Sequence, residues 1–268
     1  MIMAITNEAV FHYASILDEA VTLRKEVTRL TAKDPAISVE DGYRIQEAGL
    51  RLREARGEVI VGFKMGLTSR AKMQQMGVSS PIAGVLLNSM KIPSGGRIML
   101  SDRIHPKVEP ELAFITNREL RGNISREQFL AATASVVPAI EVIDSRFLNF
   151  DFTLADVLAD NCSSSGFILG SEPMSLSDFH AKGLKLDELK LCLRINGELR
   201  AEGVSSAVLG HPVDSCLALL AGLDRQGKSL PAGAIVLSGG ATAALAVSAG
   251  DEINLEIEGL GNAQARVV

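Results

Sequence analysis

The sequence predicts an α+β protein, with a small helical region over residues 1–58 and a β-rich domain over 59–268. Long stretches of helical periodicity crowd into the residues before Gly57. Beyond Val59 the apolar runs shorten to strand length, and glycine and proline punctuate them. Asn196-Gly197 lies between two such runs as a hairpin turn signal.

Residues 6–32 read as the first helix, because Val10, Tyr13, Ala14, Leu17, Ala20 and Val21 recur at helical spacing. Residues 38–57 read as the second. Ser38 and Asp41 are its cap candidates, Gly57 its stop, and Tyr43, Ile45, Ala48, Leu50 and Leu52 its apolar content. "EVIVGFKMGL" reads as a strand entering a glycine turn, and "SRAKMQQMG" as a short helix. "GVLLNSMKIPSGGRIML" holds strand and turn signals, and "HPKVEPELAFIT" is a strand. "ISREQFLAATASVV" reads as a helix, "PAIEVIDSRF" as a strand, "TLADVLADN" as a short helix and "SGFILGSEP" as a strand ending in a turn. "LKLCLRINGELRAEG" is the hairpin and "HPVDSCLALLAGLDRQGKSL" a helix. From Pro231 onward the chain is strand-rich with regular glycine turns. There is no internal repeat and no low-complexity linker.

The composition narrows the function. The chain has 268 residues, 47% hydrophobic and 22% charged, which is ordinary for a globular protein able to bury a sizeable core. The net charge is -5 with both signs interspersed, aromatics are 4% and tryptophan is absent. That argues against a nucleic-acid surface. Three cysteines, Cys162, Cys192 and Cys216, form no close pair, so disulfides and a thiolate zinc site are not expected. The N-terminus has early acids and no continuous apolar core, and no uninterrupted run of ~20 apolar residues marks a membrane span. A cytoplasmic protein is expected.

The chemistry starts with "KVEPELAF". In a strand, residues two apart share a face, so Glu109 and Glu111 point the same way. On a solvent-facing side they are ordinary. In a cavity they repel and lose hydration, and a cation between them removes both problems. Glu141, inside the apolar "PAIEVI", supplies a third acid. The three together make an all-oxygen site of the kind hard divalent ions such as Mg²⁺ prefer. Lys64, in "VGFKMGLTS", is either a surface strand lysine or a partner for a carboxylate or an enolate oxygen. "ADNCSSSGF" is either a helix stop or a dense set of hydrogen-bonding groups: Asp160, Asn161, Ser163, Ser164 and Ser165. "SGGATAAL" is either a plain glycine turn or a cradle of amides for an anion, with Ser238 and Thr242 beside it. His105 and His211 each precede proline and read as structural.

Taken in order, "GFKMGLTSRAKMQQMGV", "HPKVEPELAF", "AIEVIDSRF", "ADNCSSSGFILG", "VLGHP" and "LSGGATAALAVSAGD" resemble the 2-keto-4-pentenoate hydratase and 4-oxalocrotonate decarboxylase family, within the fumarylacetoacetate hydrolase superfamily. The resemblance covers the chain from about the second helix onward. It implies a mixed β-roll core of the fumarylacetoacetate hydrolase type. It implies Mg²⁺ or Mn²⁺ on Glu109, Glu111 and Glu141, and catalytic roles for Lys64 and Asp160. Leu67, Ser163, Ser164, Ser238, Gly239 and Thr242 are then the residues expected to bind substrate, and Arg70 or Arg146 to meet its far carboxylate. Similar hydratases carry an aspartate after the proline of "GVSSPIAG", where this sequence has Ile82; the decarboxylases are similar to this chain there. An apolar pocket near Ile82 and Leu86 favours loss of CO₂. The resemblance therefore implies decarboxylation of 4-oxalocrotonate (2-oxohex-3-enedioate), a 2-oxo dicarboxylate, in meta-cleavage degradation of aromatic compounds. The alternatives are 2-hydroxypenta-2,4-dienoate hydration and, from another class, a non-catalytic subunit that binds 2-oxo acids. A C–C hydrolase would need a His–Glu segment that the N-terminal region does not show. A homo-oligomer and a hydratase partner protein are also implied.

Overall fold

The computed structural model describes residues 4–268, and of Ala71, Lys72 and Gln75 the backbone alone. The first helix, α1 (Asn7–Leu23), starts at a Thr6 cap and ends where Arg24 turns left-handed, at φ 54°. It is shorter than the expected 6–32, because Val27 leaves the helix to bridge Phe147. A single turn, α2 (Leu30–Lys33), follows. Helix α3 (Val39–Ala55) opens with the capping box expected of Ser38 and Asp41. These helices share one apolar cluster with the later chain: Val10, Leu17, Leu30 and Ile45 pack with Phe147, Ala155 and Ala159.

Next come β1 (Ile60–Gly66), α4 (Arg70–Gln75), β2 (Ile82–Leu87), β3 (Lys91–Ile92), β4 (Gly96–Ile98), β5 (Lys107–Thr116), α5 (Arg126–Ala131) and β6 (Thr133–Ile143). They are followed by α6 (Leu154–Ala159), β7 (Ser164–Leu169), β8 (Met174–Ser175), α7 (Leu176–Ala181), β9 (Lys190–Ile195), β10 (Glu198–Val204) and α8 (Pro212–Arg225). The chain closes with β11 (Ile235–Leu237), β12 (Leu245–Ala246), β13 (Glu252–Ile257) and β14 (Gly261–Val267). Asn196 and Gly197 join β9 to β10 with φ of 55° and 81°, the turn their sequence predicts. Ser205–Arg225 is long and apolar enough to cross a membrane by length and composition. Its Val213, Cys216, Leu219 and Leu220 are instead buried in the core.

Two sheets form. A nine-stranded mixed sheet runs β2-β1-β11-β5-β6-β7-β3, with β12 also on β5 and β8 also on β6, and a five-stranded sheet runs β10-β9-β13-β14-β4. Val108, Leu112, Phe114, Val136, Ile140 and Val142 cover one face of the large sheet. They pack against Leu191, Leu193, Ile253 and Leu255 of the small one. The opposite face carries Ala113, Val137, Ala139 and Leu237 in a second apolar cluster. Both faces of β5 and β6 are thus covered, which explains their near-continuous apolar runs.

Proline sits inside both central strands. The expected helix over 124–137 stops at Ala131, and β6 runs on through Pro138. β8 pairs Ser135 and Val136, β7 pairs Ala139 onward, and Pro138 falls between them. Pro110 is placed the same way: β12 pairs Lys107 and Val108, β11 pairs Ala113 to Ile115, and the Ser238–Ala244 loop fills the gap. Ala241 N–H donates to Pro110 O at 3.1 Å, so the side of Pro110 that lacks an N–H faces this loop.

Candidate metal centre

The register of β5 and β6 builds the acid cluster. Glu109 lies directly opposite Glu141 and Glu111 opposite Ala139, so three carboxylates share one patch of the sheet face. Exposure is 8% for Glu109 and 0% for Glu111 and Glu141, and a carboxylate oxygen from each lies within 4.8 Å of the others. The face is therefore buried, not solvated. Glu111 Oε2 accepts the Gly239 N–H at 2.8 Å. Among the described residues, Glu111 Oε1 and both Glu141 oxygens are buried with no hydrogen-bond donor. Burial pushes the Glu111 carboxyl well above the usual range, and the charges of Glu141 and Glu109 push it further. Glu141 is also raised by burial, against the pull of Lys64. Buried, mutually repelling carboxylates at this spacing fit a hard cation.

Lys64 reaches the cluster from β1, where it pairs with Leu237 on the same face. Its Nζ lies 3.1 Å from Glu141 Oε1, an ion-pair distance without hydrogen-bond alignment. It donates to Cys162 O at 3.1 Å. Burial disfavours the ammonium, but the charge of Glu141 and the other acids outweighs this and holds its pKa above the ordinary value. Opposite Lys64 on β2 stands Gly84. Ile82 and the ammonium both converge on Gly66: a Cβ there would sit 3.2 Å from Ile82 Cγ1 and 3.8 Å from Lys64 Nζ. Ile82 packs with Val157, Leu158, Cys162 and Leu67, an apolar wall next to the acids. Leu86 is not part of it and packs in the second sheet-face cluster.

The other expected site residues divide. Asp160 is buried, but both its oxygens accept from Arg146, Oδ2 from the backbone N–H at 3.1 Å and Oδ1 from Nε. It thereby holds an arginine rather than facing the acids. Burial raises its pKa to about 6 against that arginine's pull. Arg146, expected as a partner for a substrate carboxylate, is engaged by Asp160, Asp144 O and Ser164 O. Arg70 is exposed at the start of α4. Among the described residues the hydroxyls of Ser163 and Ser238 are buried without partners, whereas Ser164 Oγ faces Met90 Sδ. The Ser238 and Gly239 amides bond Leu112 O and Glu111, so they serve β5 rather than a free anion. Thr242 bonds Ala243 O and leans its methyl toward Gly203. Leu67 holds φ 55°. Sequence reasoning missed Thr68, buried against Gly239, and Gly240, where a Cβ would sit 2.9 Å from Glu109 Oε2. The paired glycines were the available signal, since two side chains approach where no Cβ stands.

Packed mixed sheets and a buried carboxylate triad on their central strands match a known architecture, and the chain belongs to the fumarylacetoacetate hydrolase family. Residues 62–268 match the model described as Fumarylacetoacetate (FAA) hydrolase C-terminal. Among its relatives, 4-oxalocrotonate decarboxylase of Pseudomonas sp. (strain CF600) is 40% identical over 265 residues, 98% of each chain. The 2-hydroxyhexa-2,4-dienoate hydratase of Comamonas testosteroni is 35% identical over 251 residues, 91% of this chain and 92% of that one. The structure of 4-oxalocrotonate decarboxylase from Pseudomonas putida G7, complexed with magnesium and adipate, superposes with a TM-score of 0.94 at 39% identity, covering 99% of both chains.

Proposed function

We propose that this chain is a lyase that decarboxylates 4-oxalocrotonate to 2-hydroxypenta-2,4-dienoate, with a divalent cation, Mg²⁺ or Mn²⁺, held by Glu109, Glu111 and Glu141. The observation that carries the reading is the buried three-carboxylate cluster with Lys64 3.1 Å from one member. Its likeness to decarboxylases along the whole chain supports the reaction. A bound cation there supplies a Lewis acid. In the reaction, the bond to the distal carboxylate breaks and CO₂ leaves. The electron pair moves along the conjugated chain to the 2-oxo oxygen, and a proton completes the hydroxyl. Lys64 contributes fixed positive charge where that oxygen becomes negative. Ile82, Leu67 and Cys162 keep water from the leaving carboxylate, and Ile82 offers no base to activate a water for hydration. Asp160 serves by holding Arg146. A homo-oligomer, a hydratase partner and a cytoplasmic setting complete the reading; exposed Leu23, Val59 and Leu199 are apolar side chains that assembly would cover.

The test uses metal-stripped protein returned to Mg²⁺ and offered 2-oxohex-3-enedioate and, separately, 2-hydroxypenta-2,4-dienoate. Metal-dependent CO₂ release from the diacid is the expected result. Loss of the diene without CO₂ would make the protein a hydratase. Metal binding with neither turnover would leave it a binding subunit.

A further inference from the structure

Asn161, Cys162 and Ser163 follow one another with φ of 48°, 53° and 58°. Three successive non-glycine residues in the left-handed region need strong outside support. Asn161 provides it on one side. Its Oδ1 accepts the Val85 N–H at 2.8 Å and its Nδ2 donates to Val85 O at 2.9 Å, so the amide pairs with β2 as a strand residue would. Gln46 of α3 braces the pair, donating to Asn161 Oδ1 at 3.3 Å and to Ala83 O at 3.2 Å. At the other end, Ser163 O accepts the Asp144 N–H at 2.8 Å. Between these clamps, the Cys162 carbonyl points to Lys64 Nζ. Gly84 lies beneath: a Cβ there would sit 2.7 Å from Asn161 O and 3.0 Å from Lys64 Cδ, so turn and lysine pack without slack.

A lysine ammonium has three donors on a flexible stem. Among several carboxylates it has several competing positions. A neutral carbonyl fixed to one side selects one of them and leaves the other donors directed at the acids. We propose that Asn161 is a positioning residue for Lys64: by clamping the left-handed turn to β2, it fixes the Cys162 carbonyl that holds the ammonium in place. The kinetic part of this inference rests on the decarboxylase reading above; the structural part does not.

The test is Asn161→Gly, which tolerates the positive φ and removes the side-chain clamp on Val85 together with its bond to Gln46. In the parent background kcat is expected to fall on the order of 10- to 100-fold with KM little changed. In a Lys64→Met background the same change is expected to alter the residual rate by less than about threefold. An unchanged kcat, or equal fractional losses with and without Lys64, would overturn the proposal. A crystal structure of Asn161→Gly reads the result without turnover: Lys64 Nζ is expected to leave hydrogen-bonding reach of Cys162 O, and a retained bond refutes the positioning role. If Asn161→Gly does not fold, Gln46→Leu removes the brace and is read the same way. No turnover by the parent would count against the decarboxylase reading alone, because the Nζ–O distance still decides the positioning.

Discussion

Glu111 is an ionisable side chain that is fully buried beside other acids, and burial opposes its charge. Its exposure is 0%, it has carboxylate neighbours, and one of its oxygens has no donor among the described residues. Glu111→Gln keeps an acceptor for the Gly239 N–H and removes the charge. The expected outcome is a metal-stripped protein that is more stable than the parent and that has lost metal-dependent turnover. Urea melts of stripped protein and a rate assay check the two halves, and a less stable Glu111→Gln would contradict the picture. The acids could be read from the sequence because three glutamates interrupt apolar strands. The Asp160–Arg146 pair could not, because the two residues meet only when the loop after β6 folds back on the end of α6, and no periodicity marks that turn.

At the scale of elements, Gly84 and Ser38 make contrasting predictions. Gly84→Ala puts a methyl where Asn161 O and the Lys64 stem already stand. Overpacking of this kind costs roughly 1–3 kcal/mol, and kcat is expected to fall with it; a variant with parental Tm and kcat would show that β2 has room to shift. Ser38→Ala removes the capping box of α3, whose members Ser38 and Asp41 bond each other and Arg44 rather than any candidate site residue. It should cost about 1 kcal/mol and leave kcat unchanged, as thermal melts and initial rates would show. Strand and helix identities were largely legible from periodicity. The start of β6 was not, because Pro138 reads as a strand's beginning. Only the tertiary arrangement shows that the missing N–H falls between two neighbouring strands.

For the whole molecule, the acid cluster ties stability to cation and to pH. Ligand at about 100 times its Kd adds about 2.7 kcal/mol to the folded state, so Mg²⁺ is expected to raise Tm. The sign with pH follows from the raised Glu111 and Glu141 pKa values. The stripped native state binds more protons than the unfolded chain, so its stability falls as pH rises from the ordinary carboxylate value through the raised ones. Metal displaces those protons, so the Tm gap between loaded and stripped protein should widen across the same window. Calorimetry at several pH values tests this; a gap that narrows with pH would show that the acids are not the ligands. The two-sheet packing was less legible than the strands, because which strands neighbour one another depends on contacts far apart in sequence.

The prolines of the central strands bear on how the chain finds its fold. A slip of β5 by one residue would turn Glu109 and Glu111 into the apolar layer between the sheets, and the charges forbid it. A slip by two would keep every side chain on its proper face, so hydrophobic patterning cannot detect that error. Towards β12, however, it would bring Pro110 to the place opposite Leu245, with no N–H to offer. The proline between Glu109 and Glu111 thus opposes a two-residue slip that hydrophobic patterning would accept and that would assemble the acids two rungs out of place.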